Sequence, residues 1–328
     1  MLMSNITIVT AETIGSYMKR NVAFLGFASY EERSKSASVI IDSEKVDRAV
    51  VFYDEYYTPA IVASEIAAQY KHSSVKPLSI SNPVLIADIF AKVIDDYHEN
   101  GITALLIDIT TFTHEALLIL LKIIFTYKDH FTNIYCLYTG ADSYGGLTTP
   151  PDQKWLSKGC KDVRNILGYP GMLKPSAKTC LVILAGFEIE RATKIIEMLE
   201  PDRIILGNGI DPTSDSISKT MTYFRGKFDD WIKEYKSRAC ERFDFSCKDI
   251  QSTVQSLDNL LKSSPNDNYI LIPLNTKLST VAAASFALQN PKVQVCYSIP
   301  EIYNTENYST SSNKISFFEL KELSPFGS

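Results

Sequence analysis

Asn275, Thr276, Lys277, Ser279 and Thr280 follow an apolar run, YILIPL, and lead into an alanine-rich stretch, VAAASFALQ. An amide, three hydroxyls and one ammonium therefore stand where a strand passes into a helix. The first backbone N–H groups of a helix are unpaired, and its dipole favours negative charge there. Anion binding is the chemistry this pattern supports, with Thr276, Lys277 and Ser279 on a phosphate and Asn275 beside them. The stretch 104–125, ALLIDITTFTHEALLILLKIIF, repeats the layout with Asp108, Thr110, Thr111 and Thr113. Thr110 and Thr111 would assist the anion. Asp108 suits a capping acid, a metal ligand or a general base, and best of all a partner for loop backbone or ligand hydroxyls.

Other carboxylates and rings complete the candidate set. Glu31, Asp54 and Asp211 are placed to orient hydroxyl or amino groups. Ser29 and Glu32 fit a capping box, and the acids at 31, 32, 188 and 190 would repel phosphate, so neither loop is a phosphate cradle. Arg33 and Arg191 have acidic neighbours to pair with. Tyr138 and Tyr297 belong to a group of tyrosines near strand ends, with Tyr53, Tyr56, Tyr57, Tyr144 and Tyr303. Stacking of a base on such a ring contributes about 1–3 kcal/mol. The chain has eighteen tyrosines, so some stand there by chance. His114 is isolated, and no GxSxG elbow, GxGxxG or GxxxxGK[ST] occurs; Gly207-Asn208-Gly209 reads as a turn after a strand. These absences disfavour a serine hydrolase, a standard dinucleotide site and a P-loop. No cofactor or metal is expected, since the six cysteines form no CxxC pair and only four histidines are scattered along the chain.

Positioning these residues requires alternating strands and helices. Apolar runs predict strands at 21–29, 49–54, 75–80, 102–109 and 133–138, with helices at 30–41, 58–72, 83–100 and 114–131 between them. The rhythm breaks over 141–178, which is rich in glycine and proline and is read as an irregular connection with one short helix near 152–167. It resumes with strands at 180–185, 203–206, 242–246, 269–274 and 293–297 and helices at 188–199, 215–238, 250–262 and 279–289. A strand at 315–320 closes the sheet at its edge. The fold class is α/β: two Rossmann-like, doubly wound, mainly parallel units, at 1–140 and 179–328, joined by 141–178.

The halves echo each other. Leu25-Gly26-Phe27 with Arg33 answers Ala185-Gly186-Phe187 with Arg191, and Tyr138-Thr139 answers Tyr297-Ser298. Internal duplication explains this, as does the general likeness of doubly wound units. In the helix at 215–238, Ile217, Met221, Phe224, Phe228, Trp231 and Tyr235 make one stripe. It packs on its own sheet or serves as a homodimer seam.

Composition bounds the class. The chain has 328 residues, 45% hydrophobic and 22% charged, with net charge −5. That fits about two globular domains and gives no strong nucleic-acid signal. The N-terminus lacks a continuous apolar region, and the apolar run at 116–125 is too short for a membrane span. A cytoplasmic protein with reduced thiols is expected.

The strand–Asn-Thr-Lys–helix at 270–284 resembles the CARF-type sensor domains of prokaryotic defence systems. Those carry a Gly-Thr-Lys-like turn after a late strand and bind cyclic oligoadenylates across a dimer. Thr276 and Lys277 match; Asn275 stands at the glycine, and the N-terminal half has Thr110-Thr111-Phe112 with no lysine. The resemblance implies a nucleotide sensor, with a homodimer or a defence-system protein as partner. Three functions follow as expectations. The first is a sensor holding a phosphorylated or nucleotide ligand in a crevice between the two halves. The second is a hydrolase acting on nucleotides through Asp108, Glu31 or Glu32. The third is an interaction scaffold.

Overall fold

A computed structural model describes residues 2–3, 5–58, 60–146, 148–234 and 239–321. In chain order, β1 (Leu2–Met3), β2 (Thr7–Val9) and α1 (Ile14–Tyr17) precede β3 (Val22–Ala28), α2 (Ser36–Ile40), β4 (Val46–Asp54) and α3 (Ala60–Ala67). Then come β5 (Ser73–Leu78), α4 (Pro83–Glu99), β6 (Ala104–Asp108), α5 (His114–Thr126) and β7 (Asn133–Tyr144). Two further strands follow, β8 (Ser157–Lys158) and β9 (Asp162–Pro170). The alternation resumes with β10 (Thr179–Ala185), α6 (Ile189–Leu199), β11 (Arg203–Ile210), α7 (Asp215–Glu234) and β12 (Ala239–Ser246). It ends with α8 (Ile250–Ser263), β13 (Asn268–Pro273), α9 (Lys277–Gln289), β14 (Val293–Ile299), β15 (Ile302–Tyr303) and β16 (Ser309–Lys321).

Two largely parallel sheets result, and the α/β fold class holds. The first runs β1-β16-β7-β6-β3-β4-β5, and the second runs β12-β11-β10-β13-β14-β9. The strand pairs from β7 to β5 in the first sheet, and from β12 to β14 in the second, are parallel. Counted along the chain, each parallel core has strand order 3-2-1-4-5, the Rossmann arrangement. The reason lies in the sequence. Every residue of β3 and of β6 is buried, which suits strands covered by helices on both faces. On one face Phe24, Val51 and Leu106 pack with Ile14, Ala37 and Ile66 from α1, α2 and α3. On the other, Phe52, Phe90 and Phe112 form a ring cluster. In the second sheet Leu181, Ile183, Leu206 and Ile272 pack with Ile195, Ile196 and Phe228 from α6 and α7.

Helix ends follow the local code. Asn82 caps α4 through Leu85 N–H, with Pro83 in the first turn, and the chain leaves at Gly101 with φ of 69°. Thr113 caps α5 through Ala116 N–H, and Thr276 caps α9 through Ser279 N–H. The capping box expected at Ser29 and Glu32 does not form: Ser29 Oγ accepts from Glu31 N–H, one residue early, and a short 3-10 turn replaces the first part of the helix.

The chain divides into two compact units, one running to Ala141 and taking in the stretch from Thr310, the other running Asp142–Ser309. The stretch 141–178 is not irregular, and it contains no helix at 152–167. It holds a 3-10 turn at Pro151–Gln153 and then β8 and β9, and β9 joins the second sheet antiparallel to β14. The C-terminal strand closes the sheet of the N-terminal unit, where β16 pairs antiparallel with β1 and β2. Each sheet is thus completed by an antiparallel strand from beyond its own run of alternating elements, β9 at the edge of the second and β16 between β7 and β1 in the first. Tyr235, the last residue of the apolar stripe on α7, lies outside the described residues. No helix among the described residues is long and apolar enough to cross a membrane.

Candidate functional site

In the C-terminal unit the carboxyl ends of β10 and β11 and the turn after β13 border a shallow, solvent-open pocket. Its floor is Ala185-Gly186 and Gly207-Asn208-Gly209. Met221, Arg225 and Phe228 from α7 form one wall, and Arg242 and Asn275 complete it. Gly207-Asn208-Gly209 is not a turn: all three residues lie within β11. The glycines keep the site open. A Cβ on Gly186 would stand 2.2 Å from Leu274 O, and one on Gly209 would stand 2.6 Å from Cys247 Sγ.

The two guanidiniums differ in their commitments. Arg242 pairs with Asp229 and donates to Asn208 Oδ1 at 3.1 Å. Arg225 makes one long hydrogen bond, 3.4 Å to Gly209 O, and meets no carboxylate among the described residues. Of the two arginines that line the pocket, it is the one without a carboxylate partner among the described residues. Neither arginine was singled out from sequence. The available signal was the position of Arg225 on α7, four residues after Met221 and three before Phe228, a cation set into an apolar stripe.

The turn at 275–280 is internally satisfied. Asn275 donates to Ala185 O at 2.6 Å and accepts from Thr276 N–H at 2.8 Å and from Cys247 Sγ at 3.3 Å. Thr276 Oγ1 accepts from Ser279 N–H and donates to Cys247 O at 3.2 Å. Ser279 Oγ donates to Thr276 O at 2.8 Å and is buried. Lys277 is the first residue of α9 and is half-buried. Asp211, at φ of 57°, is exposed just past β11 and accepts from Ser246 Oγ at 3.5 Å. Tyr297 lies in β14, its hydroxyl 3.0 Å from Tyr303 Oη and its ring beneath Arg191 at 5.5 Å.

In the N-terminal unit a second polar cluster surrounds the ends of β3, β6 and β7. Asp108 Oδ1 accepts from both N–H and Oγ1 of Thr110, and Thr110 Oγ1 accepts from Thr139 N–H at 3.0 Å. Burial pushes the Asp108 carboxyl up to about 6, against the pull of the Thr110 hydrogen bonds and the Arg33 charge. Thr111 donates to Phe27 O at 2.5 Å, tying the β6 loop to β3. Glu31 pairs with Arg33 at 2.8 Å, and Arg33 Nη1 donates to Thr139 O at 3.2 Å. Glu31, Arg33, Asp108, Thr110 and Thr139 thus form one connected set. Asp54 stands apart: it accepts from Tyr56 N–H at 2.9 Å, and burial raises its pKa. Tyr138 is buried within β7. Among the described residues, the buried hydroxyls Thr139 Oγ1 and Tyr70 Oη have no hydrogen-bond partner.

The C-terminal unit has a counterpart of the Arg33 clamp. Arg191 pairs with Glu188 at 2.5 Å and donates to the carbonyl and hydroxyl oxygens of Ser298. In each unit, then, a buried arginine after the first parallel strand binds a nearby glutamate and a backbone carbonyl of the last one. These clamps take up polar groups beside the first and fourth strands, where open sheets commonly receive ligands. In the C-terminal unit the open volume lies on the other side of the first strand. Among the described residues no group of three or more His, Cys, Asp or Glu is arranged to hold a metal ion. No protein-family model matches this chain, and no curated protein matches it.

Proposed function

We propose that the chain is a binding protein for a small phosphorylated or nucleotide ligand, held in the pocket of the C-terminal unit with its anionic group on Arg225. The observation that carries this reading is the guanidinium of Arg225, unpaired with any carboxylate among the described residues, at the carboxyl ends of parallel strands. Arg242 is balanced by Asp229, so the lining offers one uncompensated positive charge, suited to a phosphate group carrying one. Met221 and Phe228 supply apolar surface for a base, and the Asn208 and Asn275 amides border it. A thermal-shift screen with nucleosides, nucleotides and cyclic oligoadenylates tests the proposal. A ligand at a hundred times its Kd adds about 2.7 kcal/mol of stability. Melting should rise with phosphate-bearing compounds and not with nucleosides; no rise with any compound at millimolar concentration removes the reading. A sensor role in prokaryotic antiviral defence belongs to the same proposal. It is supported by the Thr276-Lys277 turn, and a response confined to cyclic oligoadenylates is its expected outcome.

A nucleotide-processing hydrolase is a second reading, favoured by Asp108. A buried carboxyl that titrates near 6 is poised for proton transfer close to neutral pH. Chromatography of the same compounds after incubation separates the readings. Turnover lost in Asp108→Asn supports the enzyme, and intact ligand counts against it.

A further inference from the structure

Three cationic side chains are more than nine-tenths buried among the described residues: Arg33, Arg191 and Lys154. Arg33 is met by Glu31, and Arg191 by Glu188. Lys154 is 8% exposed, and no hydrogen bond or ion pair reaches its ammonium among the described residues. Its stem is covered and its ammonium is partly desolvated, which is costly for a charge without a partner.

The surroundings are constructed around this side chain. Lys154 follows the 3-10 turn at Pro151–Gln153, and its stem lies flat against Gly145. A Cβ on Gly145 would stand 2.8 Å from Lys154 Cβ and 3.0 Å from Cγ, and Gly145 has φ of 66°, so both the space and the backbone require glycine. Gly145 N–H donates to Tyr308 O at 3.0 Å. Next to it, the Tyr144 ring packs on Phe187 at 5.5 Å and on Tyr308 at 6.3 Å. The lysine is therefore held by a glycine turn beside a wall of rings, with nothing negative supplied to it by the described chain.

We propose that Lys154 anchors an anion-binding site in the C-terminal unit, and that its counter-charge is the phosphate or carboxylate of a small-molecule ligand. Burial already holds the Lys154 ammonium below the ordinary lysine range, and a bound anion would act in the opposite direction. The site is separate from the Arg225 pocket, whose lining does not include Lys154.

The test is nuclear magnetic resonance of the full chain labelled with ¹⁵N at lysine Nζ, titrated with potassium phosphate or potassium acetate. Potassium chloride at matched ionic strength is the control. The Lys154 resonance should move saturably with phosphate or acetate and not with chloride. Calorimetry should show Lys154→Met losing more than tenfold in affinity for the probe that binds, with Lys154→Arg retaining most of it. A Lys154 resonance that follows chloride as it follows phosphate and acetate overturns the proposal. This measurement decides the matter in the unsubstituted protein even if Lys154→Met does not fold. Arg225→Ala should leave the Lys154 response intact, so failure of the Arg225 site and failure of this one are told apart.

Discussion

Asp108 and Thr139 are joined through Thr110, yet removing each polar group should act differently. The Asp108 carboxyl rises from 3.8 to about 6 on burial. Between those pH values the folded chain holds a proton that the unfolded chain has released. Stability therefore falls as pH rises from about 4 to about 6, by about 3 kcal/mol in all, and stays lower above. Asp108→Asn should remove that slope, seen as the difference between the two proteins' amide hydrogen-exchange protection in β6 across this range. Equal slopes contradict it. Thr139 Oγ1 is buried with no partner among the described residues. Replacing an unpaired hydroxyl by a methyl of the same shape costs nothing in hydrogen bonding, so Thr139→Val should leave protection of β7 unchanged or raise it. A loss of more than about 1 kcal/mol would mean the hydroxyl has a partner such as bound water.

At the scale of elements, α9 starts from a cap, Thr276, that also ties it to its neighbours. Thr276 caps the helix, bonds Cys247 O, and receives Ser279 Oγ on its carbonyl. Thr276→Ala should cost about 1 kcal/mol or more, read as lower exchange protection in the first turn of α9. Protection equal to the parent would deny the cap. This junction was legible in sequence because strand, hydroxyl and alanine-rich helix are local signals. Helix α4 was legible for the same reason, from Pro83 and Asn100-Gly101. Strand β9 was not. Its burial does not alternate, with only Ile166 and Tyr169 buried, and its register against β14 shifts between Gln294 and Cys296. A strand held on one side by a distant partner leaves little local trace. Arg225 and Arg242 were missed because their importance comes from contrast: Arg242 is paired with Asp229 of α7, and Arg225 has no carboxylate partner among the described residues.

For the whole molecule, the two units share a strand order and an arginine clamp. The antiparallel strands β9 and β16 add a feature that periodicity does not reveal. β9 follows the first parallel core but completes the second sheet, and β16 follows the second core but completes the first. Pairing partners more than a hundred residues apart are set by the folded sheet alone. Ending the chain after Ser309 should therefore strip exchange protection from the N-terminal sheet, where β16 lies between β7 and β1, while β10, β11 and β13 keep theirs. Loss confined to the C-terminal sheet would contradict this topology.

The most direct measurement is calorimetric titration of the parent chain and Arg225→Ala with the phosphate-bearing compound that gives the largest thermal shift. A charged hydrogen bond contributes about 1.5–3 kcal/mol, so Arg225→Ala should weaken binding about tenfold to a hundredfold, with the fold unchanged by circular dichroism. Arg225→Ala binding as tightly as the parent would contradict the account.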